Sequence, residues 1–239
     1  MIITSTQNTK IKQLKKLMQD KSLVFFDNPK MLDEAVFAGQ KVIYIIKSEF
    51  YNGKTDYGGE LVEVSDSVFK TFSTTKNSQG IIGVVKFQKK ELKRPLGNFL
   101  VLDGLQDPGN VGTLIRSALG TNFLDIYLIE SVNISNDKLL RASMGAVFKT
   151  RFYEISRQEF IEKYKEWKLP LYACDMDGEN VFNLKTSGQV GIAIGNEGNG
   201  LSDEILNIAT KKVGIPMANG LESLNAGVSG SIIMYQITN

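Results

Sequence analysis

Three loops rich in glycine and asparagine carry the residues whose types and spacing could do chemistry. The first, residues 102–118, reads LDGLQDPGNVGTLIRSA. Its Asp-Pro-Gly tripeptide has the composition of a tight turn, and Asn110 suits the N-cap of the helix that follows. Arg116 falls in the second turn of that helix, where a permanently charged guanidinium suits a phosphate or an electron-rich oxygen. A plain strand–turn–helix with a solvated arginine fits these residues equally well.

The second loop, residues 194–204, reads IGNEGNGLSDE and follows an apolar run. Three glycines within six residues allow the backbone to approach a ligand closely. Glu197 in the middle of the loop would repel an anion, so the loop favours a cationic or hydrogen-bond-donating ligand over a phosphate. Ser202 suits the N-cap of the next helix. The alternative is a tight glycine-rich loop without a ligand.

The third loop leads into a final helix within residues 215–236, IPMANGLESLNAGVSGSIIMYQ. Gly227 and Gly230 inside a helix each cost about 1 kcal/mol relative to alanine, so close approach of another segment is expected there. Together with Ala226 and Ser231 they form a small-residue surface that fits either the preceding chain or a second subunit. A poorly formed helix is the alternative, but the apolar residues that follow argue against it.

The elements that must position these loops alternate between short apolar strands and amphipathic helices. Such alternation predicts an open parallel sheet with helices on both faces, whose ligand lies at the carboxyl ends of the strands. The predicted strands are Phe99 to Asp103, Asp125 to Ile129, Leu171 to Cys174, Val190 to Ile194 and Val213 to Ile215; the predicted helices lie near Val111 to Leu119, Lys138 to Phe148, Gln158 to Trp167 and Ser202 to Ala209, with a last one from about Ser223.

A charged segment divides the 239 residues into two domains, 1–90 and 99–239, with a linker at 91–98. The smaller domain reads as a compact α/β unit. Its predicted helices lie near 10–18 and 29–38 and begin again at about 66, and its predicted strands lie near 41–46, 61–64 and 80–85.

Basic charge is concentrated in the smaller domain. Residues 1–90 hold 14 lysines and 9 acidic residues, a net charge of +5, whereas the remainder carries −3. The whole chain carries only +2, so no global basic field indicates a nucleic-acid partner. The first helix presents lysines around an apolar stripe, which favours a phosphate-binding track as much as it favours ordinary helix solubility. The candidate RNA-binding residues are Lys10, Lys12, Lys15, Lys16 and Lys21.

Composition excludes several other classes of site. The chain has no histidine, which removes histidine bases, catalytic triads and the commonest metal ligand. Cys174 is the single cysteine, so neither an internal disulfide nor a CxxC site is possible. We therefore expect no metal. Apolar runs are far shorter than the about 18 residues of a membrane span, and no signal peptide is recognisable, so we expect a cytoplasmic protein without a membrane partner.

In combination, order and spacing, the loops closely resemble the three motifs of the SpoU-type (TrmH-like) RNA ribose 2′-O-methyltransferases of the SPOUT trefoil-knot superfamily. The motifs are D-x-x-x-D-P-x-N-x-G-x-x-x-R, then I-G-x-E-x-x-G-L, then I-P-M ending in S-L-N. Residues 3–8, 25–35 and 78–82 are similar to that family's substrate-binding domain. The resemblance implies an N-terminal domain similar to the ribosomal-protein L30e/L7Ae fold, and a C-terminal α/β domain whose end is threaded into a deep trefoil knot.

The resemblance also implies a cofactor, a set of site residues and a homodimer formed through the knotted domain and its small-residue final helix. S-adenosylmethionine would lie in a pocket of the knotted loops, and the active site would be built from both subunits. Residues 26–29, Phe-Asp-Asn-Pro, depart from the acidic residue and glycine of many relatives, which bears on RNA placement. The implied cofactor-binding residues are Gly195, Asn196, Ile215, Met217 and Leu224; the implied catalytic residues are Asn110, Arg116, Glu197, Ser223 and Asn225.

The implied activity is methyl transfer to a ribose 2′-hydroxyl of a structured RNA, ribosomal RNA first and transfer RNA second. A catalytically silent RNA- or ribosome-binding protein of the same fold is the alternative, and a base methyltransferase would need different motif residues. Relatives assign deprotonation to the residue matching Arg116, but a protonated guanidinium has no acceptor. We interpret Arg116 as positioning the phosphate or stabilising the developing alkoxide, Asn110 and Ser223 as orienting the ribose, and Glu197 as holding Arg116 or Asn110.

Overall fold

The computed structural model describes residues 1–20, 22–73, 75, 77–87 and 90–238. The chain forms two compact units, Met1–Gln88 and Lys89–Asn239. Among the described residues, no helix combines the length and the apolar character needed to cross a membrane.

In its described residues, the first unit contains a four-stranded mixed sheet and three helices. Its strand order is β1-β4-β2-β3, in which β4 is antiparallel to both neighbours and β2 is parallel to β3. Its elements are α1 (Thr9–Leu17), β1 (Leu23–Phe26), α2 (Pro29–Phe37), β2 (Val42–Ser48), β3 (Glu60–Val64), α3 (Asp66–Phe69) and β4 (Ile81–Lys86).

The first helix forms where the periodicity predicts it. Ile11 and Leu14 are fully buried against Phe69 and other apolar side chains of the sheet and α3. The side chain of Asn8 caps the helix by accepting a hydrogen bond from the N–H of Lys10. Strand β1 was not among the predicted elements, because its four apolar residues are too few to show a period.

The second unit is a six-stranded parallel sheet in the order β10-β8-β9-β5-β6-β7. Its α/β architecture and parallel strands confirm the predicted class. Its elements are β5 (Phe99–Asp103), α4 (Pro108–Gly120), β6 (Asp125–Ile129), α5 (Asp137–Ser143), β7 (Arg151–Ile155), α6 (Arg157–Trp167), β8 (Leu171–Asn180), β9 (Gly191–Gly195), α7 (Asp203–Ile208), β10 (Lys211–Gly214) and α8 (Ala226–Thr238), with 3-10 turns at Ala146–Phe148 and Val181–Asn183.

Helices cover both faces of this sheet. On one face, side chains of α6 and α7 such as Phe160 and Ile205 pack against β5, β6, β8 and β9 in one aromatic-rich core. On the other face, α8 packs against α4 and β9. A Cβ on Gly230 would lie 2.2 Å from Ile194 Cδ1 and 2.5 Å from Leu114 Cδ2. This contact explains the helix glycine and shows that its close neighbour is the preceding chain.

The helix predicted for residues 138–148 is wrong in its second half. It ends at Ser143 because Met144 and Gly145 adopt left-handed backbone with φ of 50° and 85°. The chain then turns into β7, the edge strand that the sequence did not predict.

Two other predicted boundaries also differ. The strand predicted to end at Cys174 continues to Asn180, and its pairing with β10 jumps from Ala173 to Glu179. The last helix begins at Ala226 rather than near Ser223, so the residues of the third motif precede the helix.

A buried carboxylate fixes the start of β6. Asp125 is 1% exposed and accepts hydrogen bonds from Arg151 Nε and Nη2 over 2.6 and 2.8 Å. It also accepts from Tyr153 Oη at 3.2 Å and from the N–H of Leu96 at 2.9 Å. The ion pair therefore joins β6 to β7 and to the segment that leads into β5.

Candidate functional site

The three motif loops meet at the carboxyl ends of β5, β9 and β10. Asn110 Nδ2 donates a hydrogen bond to Glu197 Oε1 at 2.9 Å, and Asn225 Nδ2 donates to Asn110 Oδ1 at 2.8 Å. We call these three residues the Asn110 cluster. One side chain from each motif thus enters a single hydrogen-bonded group, at the end of the sheet where parallel α/β folds bind ligands.

Asn110 is placed by the start of α4, although not as its cap. The N-cap is Asp107, whose carboxylate accepts from the N–H of Asn110 at 2.9 Å, with Pro108 in the first turn. The predicted N-cap role of Asn110 is therefore wrong, and its side chain is free to face the other loops. The hydrogen bond from the N–H of Asn110 and the nearby Lys138 ammonium, 3.1 Å away, lower the pKa of Asp107 from its ordinary value of 3.8.

Replacing Asp107 with alanine is expected to lower the free energy of unfolding by about 1 kcal/mol at neutral pH. A carboxylate whose folded-state pKa is lowered contributes stability that is fully present above 3.8 and is lost as the pH falls through the lowered value. The difference between the wild type and Asp107→Ala should therefore shrink in urea denaturation at about pH 3. Asp107→Asn, which keeps the acceptor, is the control, and a difference independent of pH would contradict the assignment.

The loop after β9 is shaped by Asn196. Its Oδ1 accepts from the N–H groups of Gly198 (2.9 Å) and Asn199 (3.1 Å), while its Nδ2 donates to the carbonyl of Gly104 at 2.9 Å. Its backbone also exchanges two hydrogen bonds with Gly200. The predicted cofactor residue Asn196 therefore uses its side chain to fold the loop.

Gly195 lies where the loop closes on itself. A Cβ at this position would lie 2.1 Å from the Gly200 carbonyl carbon and 2.2 Å from the Leu201 nitrogen. Neither backbone atom can move aside as a flexible side chain would, so the position requires glycine.

A buried carboxylate that the sequence analysis left without a role lies beneath this loop. Asp103 ends β5, is 2% exposed, and accepts hydrogen bonds from Arg157 and Ser202. Ser202 stands at the N-cap of α7, as predicted, but its side chain makes no capping bond. An aspartate that ends an otherwise apolar run was the available signal, because a buried charge needs partners.

The third loop offers backbone groups to a ligand. Ile215, Met217 and Leu224 are half-buried, and in the described part of the chain their N–H groups have no hydrogen-bond partner. Small-molecule sites commonly combine apolar walls with a few such backbone donors, so these residues fit an adenine-containing cofactor. Ser223 is exposed and makes no hydrogen bond to any described residue.

Arg116 does not join the Asn110 cluster. It is exposed on α4, and no described residue forms an ion pair or hydrogen bond with its side chain. The sequence suggests either Arg116 or Asn110 as the partner of Glu197. In the structure, Glu197 contacts Asn110. The guanidinium of Arg116 remains available to a group from outside the chain.

The predicted lysine track is divided. Lys10 forms an ion pair with Glu60 at 2.6 Å and lies over the Tyr44 ring, and Lys15 lies over the Phe72 ring. Lys12 and Lys16 are exposed on the opposite side of α1 from its buried residues. Lys21 lies outside the described residues.

Among the residues with described positions, no group of three or more His, Cys, Asp or Glu side chains could hold a metal ion.

Comparisons of the sequence with known proteins identify a family and several relatives. The sequence profile of the SpoU rRNA Methylase family matches residues 97–235. The chain is 28% identical to an uncharacterised tRNA/rRNA methyltransferase of Synechocystis, over 98% of this chain and 92% of the relative. It is 24% identical to the 23S rRNA (guanosine(2553)-2′-O)-methyltransferase of Bacillus subtilis, over 98% of each.

The fold is also similar to a solved structure. An AdoMet-bound rRNA methyltransferase from Sinorhizobium meliloti superposes with a TM-score of 0.86 at 23% identity, covering 99% of this chain and 96% of that one. Because the profile match spans more than half of the chain and includes all three motif loops, the chain belongs to the SpoU rRNA methylase family of RNA methyltransferases.

Proposed function

We propose that the protein transfers a methyl group from S-adenosylmethionine to a ribose 2′-hydroxyl of a structured RNA, with ribosomal RNA as the first candidate and transfer RNA as the second. The observation that carries this proposal is the Asn110 cluster, which joins one polar side chain from each family motif. The Bacillus subtilis relative is named as a 2′-O-methyltransferase of 23S rRNA, and the Sinorhizobium meliloti structure contains AdoMet.

The cofactor would be held mainly by backbone groups. Ile215, Met217 and Leu224 are half-buried and provide N–H donors that have no partner among the described residues, while Gly195 and Asn196 shape the facing loop. When bound, S-adenosylmethionine supplies an electrophilic sulfonium methyl group.

The side chains of the cluster would position the ribose. The carboxamide of Asn110 donates one N–H to Glu197 and uses one lone pair to accept a hydrogen bond from Asn225. A second N–H and a second lone pair remain on that carboxamide, enough to accept a hydrogen bond from a 2′-hydroxyl. Glu197 holds Asn110 in this orientation, and exposed Ser223 can approach the same ribose. Because a ribose hydroxyl is a weak nucleophile, accurate placement supplies a large part of the rate.

A second copy of the chain would complete the site. Helix α8 exposes Val228 and Tyr235 (45% and 50%), and Tyr235 lines a shallow 380 Å³ cavity together with Phe182 and Ile232. This apolar strip suits a homodimer interface. The exposed guanidinium of Arg116 has no partner among the described side chains of its own chain, so we assign its partner to the bound RNA in the assembled dimer.

Two features of the fold belong to the same proposal. Asn225, between β10 and α8, bonds to Asn110 at the start of α4, and α8 packs against α4 and β9; with the family resemblance, this supports a trefoil knot in the second unit. The mixed sheet and three helices of the first unit support an L30e/L7Ae-like RNA-binding domain, on which Lys12 and Lys16 would contact phosphates.

The direct test is transfer of labelled methyl from S-adenosylmethionine to total RNA from cells that lack this protein, followed by nucleoside mass spectrometry. We expect a 2′-O-methylated nucleoside at a defined site. A methylated base would contradict the ribose assignment. Absence of transfer, with no cofactor binding by calorimetry, would instead favour a silent RNA-binding protein.

A further inference from the structure

We propose that Asp103, acting through Ser202, is a positioning residue that presets the loop carrying Glu197. The inference rests on the proposed function, since Glu197 matters here as the residue that orients Asn110. It concerns residues outside the Asn110 cluster. The supporting observation is that Asp103 and its neighbour Gly104 hold the two ends of residues 196–201.

The first end of the loop is held by the backbone of β5. Asp103 is the register partner of Gly195 in the parallel pairing of β5 with β9. The next carbonyl, that of Gly104, accepts a hydrogen bond from Asn196 Nδ2 at 2.9 Å. The loop therefore leaves the sheet directly beside Asp103.

The second end of the loop is held by the Asp103 side chain. Its Oδ2 accepts from the N–H of Ser202 at 2.8 Å and from Ser202 Oγ at 2.6 Å. An N-cap serine ordinarily turns its oxygen toward its own helix, yet Ser202 makes no such bond in α7. Its hydroxyl serves the loop closure instead of the helix.

A second partner, Arg157, offsets the cost of burying the charge of Asp103. Arg157 donates to Asp103 Oδ1 from Nε at 3.1 Å and from Nη2 at 2.9 Å, and it also pairs with Glu130 at 3.1 Å. Four donors thus satisfy a carboxylate that would otherwise be costly to bury. These donors hold the carboxylate in place. The loop that carries Glu197 is therefore fixed to β5 at both ends, and this positions Glu197 beside Asn110.

Hydrogen exchange of the loop amides tests the anchor without any need for activity. Four loop amides are protected by bonds within the loop, namely those of Asn196, Gly198, Asn199 and Gly200. In Ser202→Ala we expect exchange of this segment to accelerate about tenfold while the rest of the second unit is unchanged. Tyr164→Phe, which removes a hydroxyl bonded to the Leu169 carbonyl in the same unit, is the matched control. Unchanged exchange in residues 196–201 would overturn the proposal.

Steady-state kinetics test whether the anchor acts through Glu197. Ser202→Ala is expected to lower kcat about tenfold with little change in KM for RNA, and Ser202→Thr, which keeps the hydroxyl, should restore most of it. In a Glu197→Ala background, Ser202→Ala should lower kcat no further, within about twofold. An equal loss in both backgrounds, or an equal loss in Tyr164→Phe, would show a merely structural role.

The two proposals fail in different ways. A wild-type protein without methyl transfer contradicts the proposed function. An active wild type in which Ser202→Ala leaves the exchange of residues 196–201 unaltered contradicts only the role of Asp103.

Discussion

Arg116→Ala is expected to lower kcat for methyl transfer by about a hundredfold to a thousandfold. The side chain is exposed and has no partner among the described residues of its own chain, so the structure gives it no task within the protomer. A guanidinium offers a rigid fork to a phosphate or to an oxygen that develops charge. Removing the guanidinium should therefore destabilise the transition state for methyl transfer and leave the fold unaffected. Single-turnover assays on the mapped RNA would measure the loss.

Thermal unfolding and a lysine variant are the controls for this prediction. Because Arg116 is exposed and its side chain has no ion pair or hydrogen bond with a described residue, the free energy of unfolding of Arg116→Ala should stay within about 0.5 kcal/mol of the wild type. Arg116→Lys keeps the charge but not the fork, and it should recover only part of the rate. Near-normal transfer by Arg116→Ala would rule out both roles assigned to this residue.

Arg151→Met is expected to lower the free energy of unfolding of the second unit by about 3–5 kcal/mol. The substitution leaves the carboxylate of Asp125, 1% exposed, without its bidentate partner at 2.6 and 2.8 Å. The hydrogen bonds from Tyr153 and Leu96 remain, but they cannot neutralise the charge. Urea denaturation followed by near-ultraviolet circular dichroism would report the change.

A matched substitution separates burial from mere loss of an ion pair. Lys163 pairs with Glu166 on α6 with both side chains more than half exposed, so Lys163→Met should cost no more than about 0.5 kcal/mol. The double variant Arg151→Met with Asp125→Leu, which removes both charges, should regain much of the lost stability. If Arg151→Met cost no more than Lys163→Met, the pair would not be the anchor described here.

The sequence located the three motif loops but not the contacts that join them. Glycine, asparagine and proline mark turns through local backbone preferences, so the three loops could be located one by one. The hydrogen bond between Asn110 and Glu197 joins residues 87 positions apart, and that between Asn225 and Asn110 spans 115. Such pairings depend on sheet order and strand register, which local propensity does not encode. Only the family resemblance indicated that these residues share a site.

The missed elements have equally specific causes. Strand β7 is missed because the predicted helix runs through residue 148. The helix ends earlier, at a left-handed Met144. Residues with a Cβ rarely adopt this backbone conformation, and tertiary structure imposes it here. The capping error at Asn110 arose because both Asp107 and Asn110 are good cap residues, and Pro108 decides in favour of the earlier one. The sequence assigns no role to Asp103 because its partners, Arg157 and Ser202, lie far along the chain.

The placement of Asn225 has a consequence for protein synthesis. The Asn110 cluster needs a residue that lies just before the last helix, so a nascent chain emerging from the ribosome contains most of the sheet before it can contain the site. Contacts between distant parts of a chain also form slowly, because closing a long loop costs entropy. The Asn110 cluster should therefore form only after the segment that follows β10 has been synthesised and has docked beside Asn110.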